Sequence, residues 1–224
     1  LKYSNSVYLS ILGISLLFSL LFIYLPLRLK TKEITHKPVI LYFFFIGMAF
    51  ISVEIILIKI FQLLLGNPAY SISAIIFALL VSSGIGSLFS NKVNKLLGEK
   101  TILYVSIFIF TVLIIYALFL FNFTYLMIHM NLAMRLLMTF LLISVLGIPM
   151  GMMFPSGLKY LGTGNRIMIG WAWGANAFAT VIGSVITVII AINWNFSTAL
   201  ILAALLYIIS GMIFFKDIKK TLKN

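Results

Sequence analysis

Seven apolar stretches separated by short polar gaps run along the chain, at about 7–27, 39–65, 70–90, 101–121, 132–154, 168–191 and 196–215. Each is near or beyond the roughly 20 mostly apolar residues that a helix needs to cross a bilayer core. The second stretch is long enough to tilt or to run past the hydrocarbon. No ten-residue alternation of the kind that builds a membrane β-barrel is present. The pattern predicts an all-α, polytopic transmembrane helix bundle of about seven spans, with residues 1–224 as a single transmembrane domain.

The charges fall in alternate gaps. Arg28, Lys30, Lys32 and Lys37 follow the first stretch; Lys92, Lys95 and Lys100 follow the third. Lys159 and Arg166 follow the fifth, and Lys216, Lys219, Lys220 and Lys223 follow the seventh. The gaps around 66–69, 122–131 and 192–195 hold no Lys or Arg, and Lys2 alone falls on their side. Short cytoplasmic loops collect Lys and Arg, so the C-terminus is expected inside and, with seven spans, the N-terminus outside. A bias of this kind suits a prokaryotic plasma membrane. The basic gaps are expected to meet anionic lipid headgroups.

Composition narrows the chemistry. The chain is 63% hydrophobic and 9% charged, with a mean hydropathy of +1.20. A soluble core of this size could not bury that much apolar surface, whereas a lipid-facing protein need not. The net charge of +12 is explained by the loop lysines and arginines, so no nucleic-acid partner is expected. There is no cysteine, which excludes thiol, disulfide and iron–sulfur chemistry. His36 and His129 are expected on opposite membrane faces and so cannot share a metal. No phosphate-binding glycine loop or nucleophile–base order is present, so no metal, cofactor or catalytic residue is expected. Gly162 and Gly164 lie in a basic gap, but no strand precedes them. Of the four acids, Glu33, Glu99 and Asp217 read as solvated loop charges.

Several ordered phrases carry a resemblance. Glu54 stands within Gly47-Met48-Ala49-Phe50-Ile51-Ser52-Val53-Glu54. A Gly66-Asn67-Pro68-Ala69-Tyr70 turn and a Gly84-Ile85-Gly86-Ser87 helix end follow. Then come Pro149 and Pro155-Ser156-Gly157, and Trp171-Ala172-Trp173-Gly174-Ala175-Asn176. In this order, over roughly residues 7–215, they resemble the C-terminal membrane region of the spermidine synthase-like integral membrane proteins. The resemblance implies that a soluble aminopropyltransferase-like or methyltransferase-like domain accompanies such helices. The longest non-membrane segment here is about a dozen residues, so any such activity is expected to reside in a domain outside these 224 residues.

Within the spans, Glu54 is the leading candidate for a ligand site, because a mid-membrane acid is costly and faces protein or a water-filled cavity. It reads either as a proton or cation site or as a structural buried acid. Lys59 is five residues further on, about 140° around the helix, so the two do not share a face. Arg135, near the outer end of span 5, is the other candidate partner; both cations also read as snorkelling to the interface. Asn176 reads as interhelical glue or as a contact to a polar ligand. Trp171 and Trp173 read as an interfacial belt. Gly84, Gly86, Gly147, Gly151, Gly170, Gly174 and Gly183, with Ala175 and Ala179, are expected to allow close helix packing. Pro149 is expected to kink span 5, and Pro155 to end it.

The favoured expectation is a non-catalytic membrane module or subunit that anchors or scaffolds a soluble enzyme domain or other membrane subunits. The alternative is a transport-like bundle that binds a small cation or polyamine near Glu54 and Asn176.

Overall fold

The computed structural model describes residues 2–30, 37–161 and 166–221, and every element among them is helical. Helix α1 (Lys2–Ser19) passes through one π turn (Leu20–Tyr24) into α2 (Leu25–Lys30). Then come α3 (Lys37–Leu65), α4 (Pro68–Leu97), a 3-10 turn (Gly98–Lys100) and α5 (Thr101–Met127). Helices α6 (Leu132–Leu161), α7 (Arg166–Asn193) and α8 (Phe196–Thr221) complete the bundle. Five helical stretches are long and apolar enough to cross a membrane: Lys37–Leu65, Pro68–Met127, Leu132–Leu161, Arg166–Asn193 and Phe196–Lys219. The second of these has 60 residues and contains both α4 and α5. Ser10–Tyr24 is apolar but shorter. The chain is thus a multi-pass helical membrane protein.

The turns follow from local chemistry. Gly66, at φ +79°, ends α3 and donates its N–H to the Gln62 carbonyl at 3.0 Å. Asn67 then caps α4, its Oδ1 accepting from the Ala69 N–H at 2.9 Å, and Pro68 takes the first helical position. Asn131 caps α6 through the Met134 N–H at 2.9 Å, and Asn195 caps α8 through the Thr198 N–H at 2.7 Å. At the opposite end, Gly98 at φ +58° breaks α4 from α5. The α6 helix runs on past Pro155 to Leu161, which corrects the expectation that this proline ends it. Proline removes one backbone donor, but a packed helix carries the loss.

Helix α3 is the hub. Its buried side chains, from Val39 through Ile46, Val53 and Ile60 to Leu64, surround most of its circumference. Helices α4, α6, α7 and α8 all pack on it. Side-chain pairs give the directions. Gly47 meets Asn176 and Ser52 meets Thr187, so α3 and α7 run parallel. Ser82 meets Gly147 and Asn94 meets Ser156, so α4 and α6 run parallel. Tyr116 bonds the Leu142 carbonyl while Ser106 reaches Met153, so α5 opposes α6. Gly211 meets Ser106 while Ser197 bonds the Ala117 carbonyl, so α8 opposes α5. Leu64 pairs with Arg135 and Tyr42 with Met153, so α3 opposes α6. From α3 to α8, helix direction therefore alternates.

That alternation sorts the charges. Lys37, Lys92, Lys95, Lys100, Lys159, Arg166, Lys216 and Lys219 all lie near one end of the bundle, and the turns at the other end hold no Lys or Arg. Residues 31–36, 162–165 and 222–224, which carry Lys32, Glu33, His36, Gly162, Gly164 and Lys223, lie outside the described residues.

Close helix approaches occur at Gly86, Gly147, Gly151 and Gly183. A Cβ on Gly86 would run into the Ile148 carbonyl, one on Gly147 into the Ser82 hydroxyl, and one on Gly151 into the Ser83 backbone. The α4 and α6 backbones thus touch along Ser82, Ser83, Gly86, Gly147 and Gly151, the small-xxx-small contact of membrane helices. A Cβ on Gly183 would stand 3.0 Å from the Met48 and Ile51 side chains of α3. Gly84 departs from the expectation, because a Cβ there would meet nothing within 4 Å. It sits two residues before Gly86, about 200° around the helix, and so turns away from the α6 seam. Gly170 and Gly174 are half-buried, and Gly174 lines an apolar groove beside Tyr24 and Phe44.

Gly86→Leu should therefore lower bundle stability by about 1–3 kcal/mol through overpacking. Gly84→Ala should be neutral or stabilising by up to about 1 kcal/mol, as expected of glycine replaced within a helix. Unfolding midpoints followed by circular dichroism in detergent check this, and equal losses at both positions would contradict the seam.

Candidate functional site

Asn176 lies midway along α7, where the chain comes closest to α3. Gly47 makes the approach possible, since a Cβ there would stand 2.6 Å from both Nδ2 and the backbone oxygen of Asn176. The amide donates from Nδ2 to the Phe43 carbonyl at 3.2 Å. Its Oδ1 makes no hydrogen bond among the described residues. Asn176 is therefore glue between α3 and α7, with one acceptor left over.

Asn176 lines a cleft of about 520 Å³. Ile46, Gly47 and Phe50 of α3 form one wall, and Leu80, Ser83, Gly84 and Ser87 of α4 another. Met150, Gly151 and Met153 through Pro155 of α6 contribute, as do Trp173, Asn176 and Thr180 of α7, with Tyr207 of α8. Phe154 and Trp173 lie with ring centroids 4.5 Å apart at the edge. No Asp, Glu, Lys, Arg or His lines the space. Ser83 donates to the Leu80 carbonyl at 3.2 Å and Thr180 to the Asn176 carbonyl at 2.9 Å. Their hydrogens are spent within their own helices, which leaves lone pairs toward the cleft.

Glu54 is half-buried on α3 and makes no hydrogen bond or ion pair among the described residues. It lies seven residues after Gly47, on nearly the same face and about 10 Å further along the axis. It is not among the side chains lining the Asn176 cleft. Lys59 is exposed. Arg135 has a different partner from the one expected: its Nη1 donates to the Leu64 carbonyl at 2.8 Å. That carbonyl belongs to the last turn of α3, where a cation complements the helix dipole and satisfies an orphan acceptor. Arg135 Nε and, one turn on, Thr139 Oγ1 are buried without a hydrogen-bond partner. The four candidate ligand residues thus do not converge: Asn176 borders a cleft, Glu54 lies outside its lining, Arg135 closes a helix end, and Lys59 is exposed.

The belt reading divides in the same way. Trp173 is exposed at the rim of the cleft, but Trp171 is buried, edge-on to Tyr24 with centroids 6.0 Å apart. The sequence reading missed Ser83, Ser87, Thr180, Phe50 and Phe154 as cleft residues. The i, i+4 spacing of Ser83 and Ser87 was the available signal. It also missed the buried Ser52–Thr187 bond of 2.6 Å and the Tyr42 hydroxyl that donates to the Met153 carbonyl at 2.7 Å. Among the described residues, no group of three or more His, Cys, Asp and Glu side chains gathers.

Arg135→Met should cost about 1–2 kcal/mol by stripping the charged donor from the Leu64 carbonyl. Thermal unfolding in detergent reads this directly, and an unchanged midpoint would mean that the contact contributes nothing.

Comparison with protein-family models, with curated proteins and with solved structures found no match for this chain.

Proposed function

We propose that the chain is a non-catalytic integral membrane module that anchors or scaffolds a larger protein or complex. The observation that carries this reading is where the polar side chains are spent. Asn176, Ser52 with Thr187, Tyr42, Tyr116, Arg135 and Ser197 all bond a neighbouring helix. Interhelical bonds of this kind hold a bundle together and leave its outer surface for lipid and partners. The partner classes are a soluble enzyme domain and other membrane subunits, in keeping with the resemblance to the membrane part of spermidine synthase-like proteins.

The module crosses a prokaryotic plasma membrane seven times, with its N-terminus outside and its C-terminus in the cytoplasm. Two features support this. The rod from Lys2 to Lys30 is helical throughout and so about 40 Å long at helical rise. The clustering of lysines and arginines at one bundle end follows the rule for cytoplasmic faces. At that end Lys159 borders a cleft of about 460 Å³ with Asn94 and Thr101, and anionic headgroups fit such a margin. A transport-like bundle binding a small cation or polyamine ranks second, because Glu54 and Asn176 do not share a lining.

Two measurements test these readings. With no native cysteine, single cysteines at His129 and Asn193 should react with an impermeant thiol reagent in intact cells. Those at Asn91 and Glu99 should react after lysis alone; reaction of all four in intact cells would defeat the orientation. Glu54→Gln should preserve both folding and partner association. A polyamine-dependent rise in melting temperature, present in the native protein and lost in this variant, would favour the transport reading instead.

A further inference from the structure

The cleft between the α4–α6 pair and the α3–α7 pair has a chemistry of its own. Its volume of about 520 Å³ lies within the range of small-molecule sites. The lining is aromatic and aliphatic, with Phe50, Phe154 and Trp173 around a short polar stripe of Ser83, Asn176 and Thr180. Within it, Asn176 Oδ1 is an acceptor unbonded among the described residues, and the Ser83 and Thr180 hydrogens go to their own helices; the Ser87 and Tyr207 hydroxyls complete the polar lining. An acceptor left without a donor in an apolar setting is costly, so a donor brought by a ligand is rewarded. A charged ligand would find no counter-charge among the lining residues, so the ligand is uncharged. Gly84 keeps the space open, since a side chain there would project into it without meeting a neighbour.

We propose that this cleft binds an uncharged, membrane-soluble molecule with a planar ring and a hydroxyl or amide N–H, the ring against Phe50, Phe154 and Trp173 and the donor on Asn176 Oδ1. This differs from a cation or polyamine site: Glu54 takes no part, and the recognition element is a neutral donor.

The test uses the full chain in nanodiscs with three naphthalene probes, followed by calorimetry with empty nanodiscs subtracted. 2-Naphthol should show one saturable site. 2-Methoxynaphthalene, which keeps the ring and loses the donor, should bind about fivefold weaker or worse, as the loss of one hydrogen bond implies. 2-Naphthylmethylammonium should show no saturable site. Gly84→Leu should fill the cleft and abolish 2-naphthol binding while the circular dichroism melt stays native. Ser87→Leu, at an exposed position on the same wall, should have the same effect and carries the test if Gly84→Leu fails to fold. The proposal is overturned if 2-naphthol shows no saturable site or if its methyl ether binds equally well. Tightest binding of the ammonium probe, or undiminished binding in the folded variants, overturns it too.

Discussion

The arrangement depends on how closely neighbouring backbones approach along two parallel helix pairs. Lipid tails are as apolar as leucine, so burying apolar side chains gives helices in a membrane little reason to associate. What remains is van der Waals contact and hydrogen bonding, and both need short distances. Gly86, Gly147 and Gly151 bring α4 and α6 together, and Gly47 and Gly183 do the same for α3 and α7. Once those backbones touch, small polar groups come within bonding range. Asn176 reaches the Phe43 carbonyl and Ser52 reaches Thr187 because no side chain holds the helices apart.

The two ends of the bundle solve the same problem by different means. Every helix end leaves backbone donors or acceptors unsatisfied. At the end free of Lys and Arg in its turns, asparagines cap the incoming helices α4, α6 and α8. Gly66 closes α3 there, and Arg135 supplies its outgoing carbonyl with a donor. Short neutral caps let the chain reverse within a few residues. At the opposite end the helix termini carry the lysines and arginines. This asymmetry is a property of the fold, since it requires helices α3 to α8 to alternate in direction.

Much of the helical architecture was legible because apolar length, glycine spacing and charge position each act locally. Gly66-Asn67-Pro68 reads as a turn whatever surrounds it. The seams at Gly86, Gly147, Gly151 and Gly183 were readable because the i, i+4 spacing places small residues on one face. Which face meets which helix was not readable. Gly84 and Gly86 are two residues apart in one phrase, yet one opens a cleft and the other seals a contact. The partner of Arg135 was unreadable for the same reason: depth along a helix is set by sequence, but Leu64 lies 71 residues away and the contact depends on the α3–α6 register. Pro155 misled because its local rule, that proline ends a helix, yields when tertiary contacts hold the next turn.

The cleft beside Asn176 follows from the same seams. Two tightly joined parallel pairs cannot also be tightly joined to each other along their whole length, because each helix has already given its smallest face to its own partner. The space falls between α4–α6 and α7, with α3 behind it, and Gly84 lines it without a side chain to fill it. Aromatic rings from four helices border it, but they do not fill it. Asn176, which lines it with Ser83, Ser87, Thr180 and Tyr207, is committed through its nitrogen to α3, and its oxygen makes no hydrogen bond among the described residues. A residue that holds α3 to α7 is thus also one of the polar groups of the cleft.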